Sequence, residues 1–335
     1  MPDFVGLDIG TTALKGVQIK NLTLISYYQK PAPGVSIVSE NPEDLKRFSD
    51  SLRDFFSEGH FRTRDVVASV PESQVFARVI SLPQMGEAEI ASSVQNEAPQ
   101  YVPMPLDQVI LSYEILGPSE MEQGKIDVLL VAVPKALTSK YLKVLRDADL
   151  NLLSLETETI ALERSVVGKK TKNAVMVASI GASTTDIAVF SGGALRFTRS
   201  IATGGQALER ALTQAFNLAP GQAAEYIRTY GLEEKLEGKV MSAIKPVFDI
   251  IVEELKRTQA FFSSRGKVPL ERLILVGGTA NLPGVLVYLA DSLGLEVARG
   301  DPWEAISIPA SFPREHLEEI APSFAVAAGL ALKEF

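Results

Sequence analysis

The sequence predicts an α/β fold made of two duplicated domains, with an inserted module in the first half and a helical module in the second. Strand-like and helix-like segments alternate along most of the chain, which is typical of α/β architecture. A strand–glycine turn–strand pattern occurs twice, over residues 6–19 and again over residues 173–190. A chain of 335 residues is also too long for one simple core. Together these observations favour a duplicated α/β domain with additions.

The composition is that of a water-soluble globular protein and argues against several classes of function. The net charge is −8, and Asp and Glu outnumber Lys and Arg by 41 to 33, so the chain lacks the cationic excess on which nucleic-acid binding depends. It has no cysteine, which excludes disulfides and thiolate chemistry. No signal-like apolar core opens the chain, and its longest uncharged apolar segment, residues 321–332, is too short to span a bilayer. We therefore expect a cytoplasmic protein that does not bind nucleic acid.

The first glycine turn carries residue types that hold an anion and a metal ion. These residues are Asp8, Gly10, Thr11, Thr12 and Lys15. Gly10 has no Cβ to keep a ligand away from the backbone, and successive N–H groups beside two hydroxyls suit a phosphate. Asp8, at the end of the first strand, is placed to hold Mg²⁺ through water. For this stretch alone, the alternative is an ordinary hairpin in which Asp8 only satisfies the turn amides.

The first half then continues as an α/β unit. Asn41 and Pro42 start a helix whose apolar residues recur at helical spacing. Residues 65–71 form a short buried strand that ends at a proline, and residues 74–82 form another strand.

Residues 83–151 differ in character and are predicted to form an αββα insert. Its helices are expected over 87–98 and 137–148, and its strands over 109–116 and 126–133. Tyr101 lies between prolines. It is either a recognition element for a partner or a contact that packs the insert on the main body.

The second glycine turn repeats the first after a basic, hinge-like segment at residues 168–172. Aligning Gly181 with Gly10 places Ser179 where Asp8 stands and Asp186 where Lys15 stands. The predicted anion contacts of this turn are Gly181, Ala182, Ser183, Thr184 and Asp186. One anion held between the two turns would explain the repeat, and a coincidence of two ordinary hairpins is the alternative.

Two further glycine pairs complete the predicted site. Gly204 and Gly205 let backbone approach a ligand closely, at the start of helical sequence over 206–216, 222–230 and 239–262. Gly277, Gly278, Thr279 and Ala280 follow a buried strand, where α/β proteins hold ligands beyond the strand's carboxyl end. Glu225 and Arg228 lie three residues apart on one helix face and either bracket a ribose and a base edge or form a surface ion pair. The two histidines, His60 and His316, lie far from these turns.

The order of these motifs resembles the ATPase core shared by actin, Hsp70 and sugar kinases, over essentially the whole chain. The second turn, from Ile180 to Phe190, and the segment Ile201-Ala-Thr-Gly-Gly are most similar to the bacterial FtsA/PilM branch. Glu97-Ala-Pro-Gln-Tyr-Val-Pro-Met-Pro, followed by Ser112-Tyr113, resembles the type IV pilus assembly PilM family in particular.

The resemblance implies an actin-like, ribonuclease H-like fold that binds ATP with Mg²⁺ between its two halves. The expected units are a first actin-like subdomain over 1–82 and 152–171, a partner-docking insert over 83–151, a second actin-like subdomain over 172–205 and 269–335, and a helical nucleotide-capping subdomain over 206–268. It also implies docking of the cytoplasmic N-terminal tail of a PilN-like inner-membrane protein, in a groove that involves the insert. This partner would place the protein at the inner membrane. Contacts with a pilus motor or other platform proteins, and self-association, stay open.

One departure from the family pattern concerns the second turn. The family usually opens this turn with an aspartate, and here the position is Ser179, followed by Ala182 and Ser183 in place of glycines. Losing the carboxylate weakens the positioning of magnesium and attacking water more than phosphate binding, which rests on backbone amides. We therefore expect nucleotide binding with weak or no hydrolysis.

Three alternatives remain within the same superfamily. FtsA-like cell-division proteins usually continue into a linker and an amphipathic membrane helix, whereas this sequence stops at Phe335, which favours PilM. A small-molecule, sugar-type kinase needs a carboxylate base beside the substrate hydroxyl, for which Glu156 and Glu158 lie in the appropriate region. A filament-forming actin relative is also compatible with the fold.

Overall fold

The computed structural model describes residues 3–119, 122–168, 173–219, 221–265 and 268–335. Its strands are β1 (Val5–Ile9), β2 (Ala13–Lys20), β3 (Thr23–Pro31), β4 (Asp65–Val70), β5 (Phe76–Pro83), β6 (Val109–Pro118), β7 (Lys125–Pro134), β8 (Asn151–Thr157), β9 (Ala174–Ile180), β10 (Thr185–Ser191), β11 (Ala194–Ile201), β12 (Leu270–Val276) and β13 (Glu296–Arg299). Its α-helices are α1 (Pro42–Glu58), α2 (Glu87–Tyr101), α3 (Lys135–Asp147), α4 (Glu158–Leu162), α5 (Gly205–Phe216), α6 (Gln222–Tyr230), α7 (Lys239–Arg265), α8 (Val285–Leu293) and α9 (Arg314–Ala331). The predicted α/β class is confirmed.

Two five-stranded sheets share one topology, which explains the repeat seen in the sequence. The first sheet has the order β3-β2-β1-β4-β8, and the second has the order β11-β10-β9-β12-β13. In each sheet the central strand pairs antiparallel with the next strand of the chain and parallel with a later one. The remaining pairs also match: β2–β3 and β10–β11 are antiparallel, and β4–β8 and β12–β13 are parallel. The two halves are therefore duplicated units.

Helix α1 shows how local sequence builds the first half. The Asn41 side chain caps its first turn by accepting a hydrogen bond from the Glu43 N–H at 3.0 Å, and Pro42 occupies a position where no N–H donor is needed. The residues Phe48, Leu52 and Phe55 recur on one face and are buried against the first sheet. Burying each such side chain contributes about 1.5–3 kcal/mol.

The insert differs from the predicted αββα order at both ends. Its three-stranded sheet has the order β5-β7-β6, so β5, predicted as part of the main body, belongs to the insert's own sheet. Its core joins this sheet to α2 through Ile90 and Val94, among others. Helix α3 instead buries Tyr141, Val144 and Leu145 in the core that contains α1. Sequence order alone does not say which sheet an amphipathic helix covers. Helix α3 covers the first sheet of the main body and not the sheet of the insert.

One helix end differs from the predicted end, and one strand was not predicted. Helix α2 continues through Pro99 to Tyr101, where the Val102 N–H closes the last turn on the Ala98 carbonyl at 2.8 Å. Helix α8 begins after Pro283, because Gly284 precedes it in a left-handed conformation. Strand β13 was not expected.

The last helix, α9, contains Pro322 in its interior. The loop after β12 is bonded to this part of α9: the Gly277 N–H donates to the Pro322 carbonyl at 2.9 Å, and Asn281 Nδ2 donates to the Glu319 carbonyl at 2.7 Å. Helix α9 also approaches the first half closely. A Cβ on Gly329 would lie 1.9 Å from the Ala161 carbonyl oxygen.

Of the predicted hinge at residues 168–172, only Gly168 lies within the described residues. Within those residues, no helix combines the length and the apolar character needed to cross a lipid bilayer.

Candidate functional site

The two glycine turns close with the same hydrogen bond. The Gly10 N–H donates to the Ala13 carbonyl at 3.1 Å, and the Gly181 N–H donates to the Thr184 carbonyl at 2.9 Å. Such a closure leaves the N–H groups of the two intervening residues outside the bond that closes the turn, where an anion can accept from them. Each turn therefore presents backbone donors together with hydroxyl side chains.

The strand register fixes which side chains lie beneath each turn. Asp8 pairs across the hairpin with Lys15, and Ser179 pairs with Asp186. The Lys15 Nζ atom lies 3.0 Å from Asp8 Oδ2 in a largely buried ion pair. The structure thus brings Asp8 and Lys15 together directly under the first turn.

The second turn sits on the start of helix α5. The Gly205 N–H donates to the Gly181 carbonyl, and the Gln206 N–H donates to the Ala182 carbonyl, both at 2.9 Å. A Cβ on Gly204 would lie only 2.6 Å from the Gly181 oxygen, so glycine is needed for this approach. The first two N–H groups of α5 therefore hold the turn in place, and Ser183 and Thr184 beside it remain half-buried.

The loop after β12 joins the same surface. Gly277 has φ +88°, and a Cβ there would lie 2.4 Å from the Ile180 carbonyl oxygen. Gly278 is exposed, and an added Cβ would meet no atom within 4 Å. Thr279 and Ala280 are buried, and Thr279 Oγ1 lies 3.4 Å from where a Cβ of Gly205 would stand. Gly278 thus leaves an open backbone edge next to the second turn.

Glu225 and Arg228 lie apart from these contacts. Both are exposed on α6. Among the described residues they form no ion pair with each other, so the simple surface pair is not the arrangement found. Their contact with a nucleoside stays a prediction.

Two glutamates that were not assigned to the nucleotide site, Glu72 and Glu158, lie close enough to its aspartates to interact with their charges. Glu72 follows Pro71 at the end of β4, is 6% exposed, and accepts a hydrogen bond from Thr198 Oγ1 at 3.0 Å. Burial, reinforced by the charge of Asp186, raises the pKa of Glu72 to about 7. A single Glu after a strand carries no sequence signal, because only the folded topology brings it to Asp186.

Glu158 begins α4 and lies among the same carboxylates. Burial and the charges of Asp186, Asp8 and Glu72 raise its pKa well above the ordinary value, while Lys15 acts in the opposite direction. The residue as a whole is half-buried. Glu156, the other glutamate considered for a kinase, is instead bound by Arg164 and Lys333.

Several buried polar atoms, some of them on these carboxylates, have no hydrogen bond of good geometry. Among the described residues they include Ser69 Oγ, Glu72 Oε2, Tyr141 Oη and Asp186 Oδ1. Burial raises the pKa of Asp186 to about 6, and it also raises the pKa of Tyr141. Because buried polar groups in native proteins are nearly always paired, the unpaired oxygens of Glu72 and Asp186 suit a site that receives a polar ligand.

The donors present fit magnesium only as part of a nucleotide complex. Within the described part of the chain, no three acidic or histidine side chains are grouped so that they could hold a metal ion. Mg²⁺ usually keeps several waters and is bound by one or two carboxylates plus substrate phosphates. Asp8, beside the first turn, suits that mode.

Comparison with known proteins identifies the family. The family model described as type IV pilus assembly protein PilM matches residues 6–335. The cell division protein FtsA of Neisseria meningitidis is 27% identical over 59% of this chain, and the match spans only 56% of the FtsA protein. FtsA of Bacillus subtilis is 22% identical over 89% of this chain and 78% of its own length.

Solved structures agree with this result. A structure described as the PilM-PilN type IV pilus biogenesis complex is 29% identical, covers 98% of this chain and 97% of the other, and has a TM-score of 0.85. The ethanolamine utilization protein EutJ from Carboxydothermus hydrogenoformans (19% identical, 99% and 90% covered, TM-score 0.61) and ADP-bound MreB5 of Spiroplasma citri (14% identical, 98% and 95% covered, TM-score 0.53) support the actin-like fold alone. The chain therefore belongs to the PilM family of type IV pilus assembly proteins.

Proposed function

We propose that this protein is the ATP-binding, actin-like component of a type IV pilus assembly platform, and that it docks the cytoplasmic tail of a PilN-like membrane protein. Its family and the PilM-PilN complex support the pilus role and the partner. Such a partner would hold the protein at the cytoplasmic face of the inner membrane.

The observation that carries ATP binding is the pair of identically closed glycine turns, at Gly10 and Gly181, in two sheets of the same topology. We assign the phosphates to the backbone N–H groups of these turns, with Thr11, Thr12 and Lys15 beside them. The open edge at Gly278 is assigned to the base. Mg²⁺, when bound, neutralises phosphate charge, and Asp8 would orient it through water. ADP-bound MreB5 shows that a protein of this fold binds nucleotide.

Weak hydrolysis is the second part of the proposal. Position 179 offers a hydroxyl where the family usually has a carboxylate. Of the two glutamates considered as a base, Glu156 is poorly suited, because it is already paired with the two cations Arg164 and Lys333.

A melting experiment tests ATP binding. Mg-ATP at about 100 times its Kd stabilises a protein by roughly 2.7 kcal/mol, so a clear rise in melting temperature is expected. Gly10→Val places a side chain 2.8 Å or less from the Ala13 oxygen and should abolish the rise. Gly86→Val, in the insert, meets only the end of the flexible Glu89 side chain at 3.7 Å and should retain it. No rise with millimolar Mg-ATP would contradict the proposal.

The partner surface is assigned to the insert. Strand β6 is an edge of the insert's sheet, and it exposes Ile110 and Tyr113, with Met104 exposed just before it. An unpaired edge with exposed apolar side chains suits an extended peptide that adds as a further strand. This arrangement favours a PilN-like tail over a globular partner at this place.

Peptide binding by fluorescence anisotropy tests the docking. Deleting residues 83–150 would remove α3, which packs in the first core, so substitutions are the sharper test. Ile110→Glu with Tyr113→Ser should weaken binding of a PilN-like tail peptide at least tenfold and leave the Mg-ATP shift unchanged. Val287→Glu, on the exposed face of α8 in the other half, is the matched control. Unchanged peptide binding in the double variant would place the groove elsewhere.

An FtsA-like filament is the second candidate, favoured by the 27% identity to the Neisseria protein. It predicts that the protein sediments as polymer when Mg-ATP is added. The PilM proposal predicts tail-peptide binding by the unpolymerised protein.

A further inference from the structure

We infer that Asp186 supplies, from the adjacent strand, the carboxylate that position 179 lacks, and that it orients the magnesium ion of bound Mg-ATP through water. This inference rests on the proposed ATP site and deepens it, because it assigns a positioning role to one residue of this chain. Asp186 would act on the ion's water shell without a role as base.

The internal repeat supplies the geometry. Ser179 and Asp186 hold the same places relative to Gly181 that Asp8 and Lys15 hold relative to Gly10. In the first hairpin, side chains at these two places meet at 3.0 Å. Opposite residues of an antiparallel pair have Cβ atoms about 4.5–5.5 Å apart on one face of the sheet. The 3.0 Å contact depends on the long Lys15 side chain, but positions 179 and 186 likewise project from one face of the sheet as direct partners. A carboxylate at position 186 therefore starts about 5 Å from where one at position 179 would start.

The burial and hydrogen bonding of the Asp186 side chain are consistent with a role in binding a metal ion's water shell. It is 5% exposed, its Oδ1 atom has no hydrogen bond of good geometry, and its Oδ2 atom accepts a long bond, 3.4 Å, from Thr184 Oγ1. The neutral hydroxyl of Ser200, opposite Asp186 in the strand pair, also favours the ionised carboxylate. In the described residues, no lysine or arginine forms an ion pair with it. A buried carboxylate without a cation is unfavourable, so a purely structural role is a poor explanation for an aspartate here.

The two neighbouring carboxylates are less suited to the role. Glu72 is tied to Thr198 of β11 and is not part of either turn. Glu158 begins a helix of the first half. Asp186 is the one whose hydrogen-bond partner, Thr184, also closes a phosphate turn through its carbonyl. A change in the conformation of that turn on phosphate binding would therefore also move the hydroxyl that bonds Asp186.

Calorimetric titration of the full chain with ATP, in Mg²⁺ and in EDTA, tests this inference. The quantity compared is the ratio of the two affinities. Asp186→Asn should reduce the ratio about tenfold or more, the usual effect of losing a residue that orients a metal site. The EDTA affinity should not fall, because without Mg²⁺ the carboxylate repels the phosphates. Ser179→Asp added to Asp186→Asn should restore the ratio, because the carboxylate returns from the other strand. Asp249→Asn, on the surface of the second half, is the matched control and should not alter it.

The melting temperature without nucleotide separates this role from a structural one. Asp186→Asn should melt at the same temperature as the original chain or higher, because an amide of equal size replaces an unpaired buried charge. An unchanged Mg²⁺/EDTA ratio in Asp186→Asn, an equal loss of affinity in both conditions, or no rescue by Ser179→Asp would overturn the inference while ATP binding stands. Absence of ATP binding by the original chain would overturn the proposed function, and this inference with it.

Discussion

Gly277 and Gly278 are adjacent in sequence, but Gly277 is crowded by backbone and Gly278 is open to solvent. Substitutions at the two positions therefore distinguish an effect on folding stability from an effect on ATP binding. Gly277 has φ +88° and faces the Ile180 backbone, where an added Cβ would lie 2.4 Å from the carbonyl oxygen. Gly278 is exposed, and an added Cβ would meet nothing within 4 Å. We therefore compare Gly277→Ala with Gly278→Ala.

The structure gives the expected magnitudes. A side chain in the conformation of Gly277, whose ψ is 175°, has a strain of about 1–3 kcal/mol. Overpacking against backbone that cannot turn away adds about 1–3 kcal/mol. Gly277→Ala should therefore lower the melting temperature by on the order of 5–10 °C, at a few degrees per kcal/mol. Gly278→Ala is a surface change without contacts, and its effect on stability should stay within about 0.5 kcal/mol.

For ATP affinity, Gly278→Ala is expected to be the more damaging of the two variants. If the base lies on the open edge of Gly278, the added methyl stands between base and backbone. A misfit of about 1–3 kcal/mol corresponds to a loss of affinity of roughly five- to 150-fold. Melting curves without ligand and calorimetric titration with Mg-ATP measure both effects. Gly278→Ala that binds Mg-ATP as tightly as the original chain would refute the base assignment, and a normal melting temperature for Gly277→Ala would refute the packing argument.

Three further predictions concern the rest of the molecule. Asp127→Asn should lower the free energy of unfolding by about 1–3 kcal/mol, because it removes the carboxylate that pairs with the buried Arg196 at 3.2 Å. The surface change Asp147→Asn should alter it by under about 1 kcal/mol, and urea unfolding measures both. The raised pKa of Glu72, about 7 against an ordinary 4.5, means that the folded state keeps a proton that the unfolded state has lost between these values. Stability without ligand should therefore fall by about 3 kcal/mol as pH rises through this window, and Glu72→Gln should flatten the slope of unfolding free energy against pH. Gly329→Val should yield no folded protein by circular dichroism, because its Cβ would overlap the backbone of α4.

The sequence allowed prediction of the features that depend on local chemistry. The two hairpins followed from apolar strands joined by glycine turns, and the start of α1 followed from Asn41 and Pro42. The structure adds that Lys15 lies beside Asp8 and Asp186 beside Ser179 across the two hairpins, so the positions that the alignment matched are cross-strand partners in both. These features need only neighbours in the chain, so a single sequence contains their signal.

Features that depend on tertiary packing could not be predicted in the same way. Helix α9 runs through Pro322, although proline disfavours a helix interior, and the helix is bonded there to the loop after β12. Helix α3 is amphipathic, and its pattern does not say that its partner is α1. Glu72, just after β4, lies near Asp186 of β10 only because the folded chain brings the two halves together, so this contact had no sequence signal.

The central claim is that one nucleotide lies between the two glycine turns, and a crystal structure with Mg²⁺ and a non-hydrolysable ATP analogue tests it most directly. The account predicts phosphate density within hydrogen-bond distance of the backbone N–H groups in both turns, at Gly10 and at Gly181, with the base against Gly278. Phosphates that contact only one turn would contradict it. So would a nucleotide bound elsewhere, such as the apolar cavity of about 370 Å³ lined by Phe216 and Tyr226 at the far end of α5.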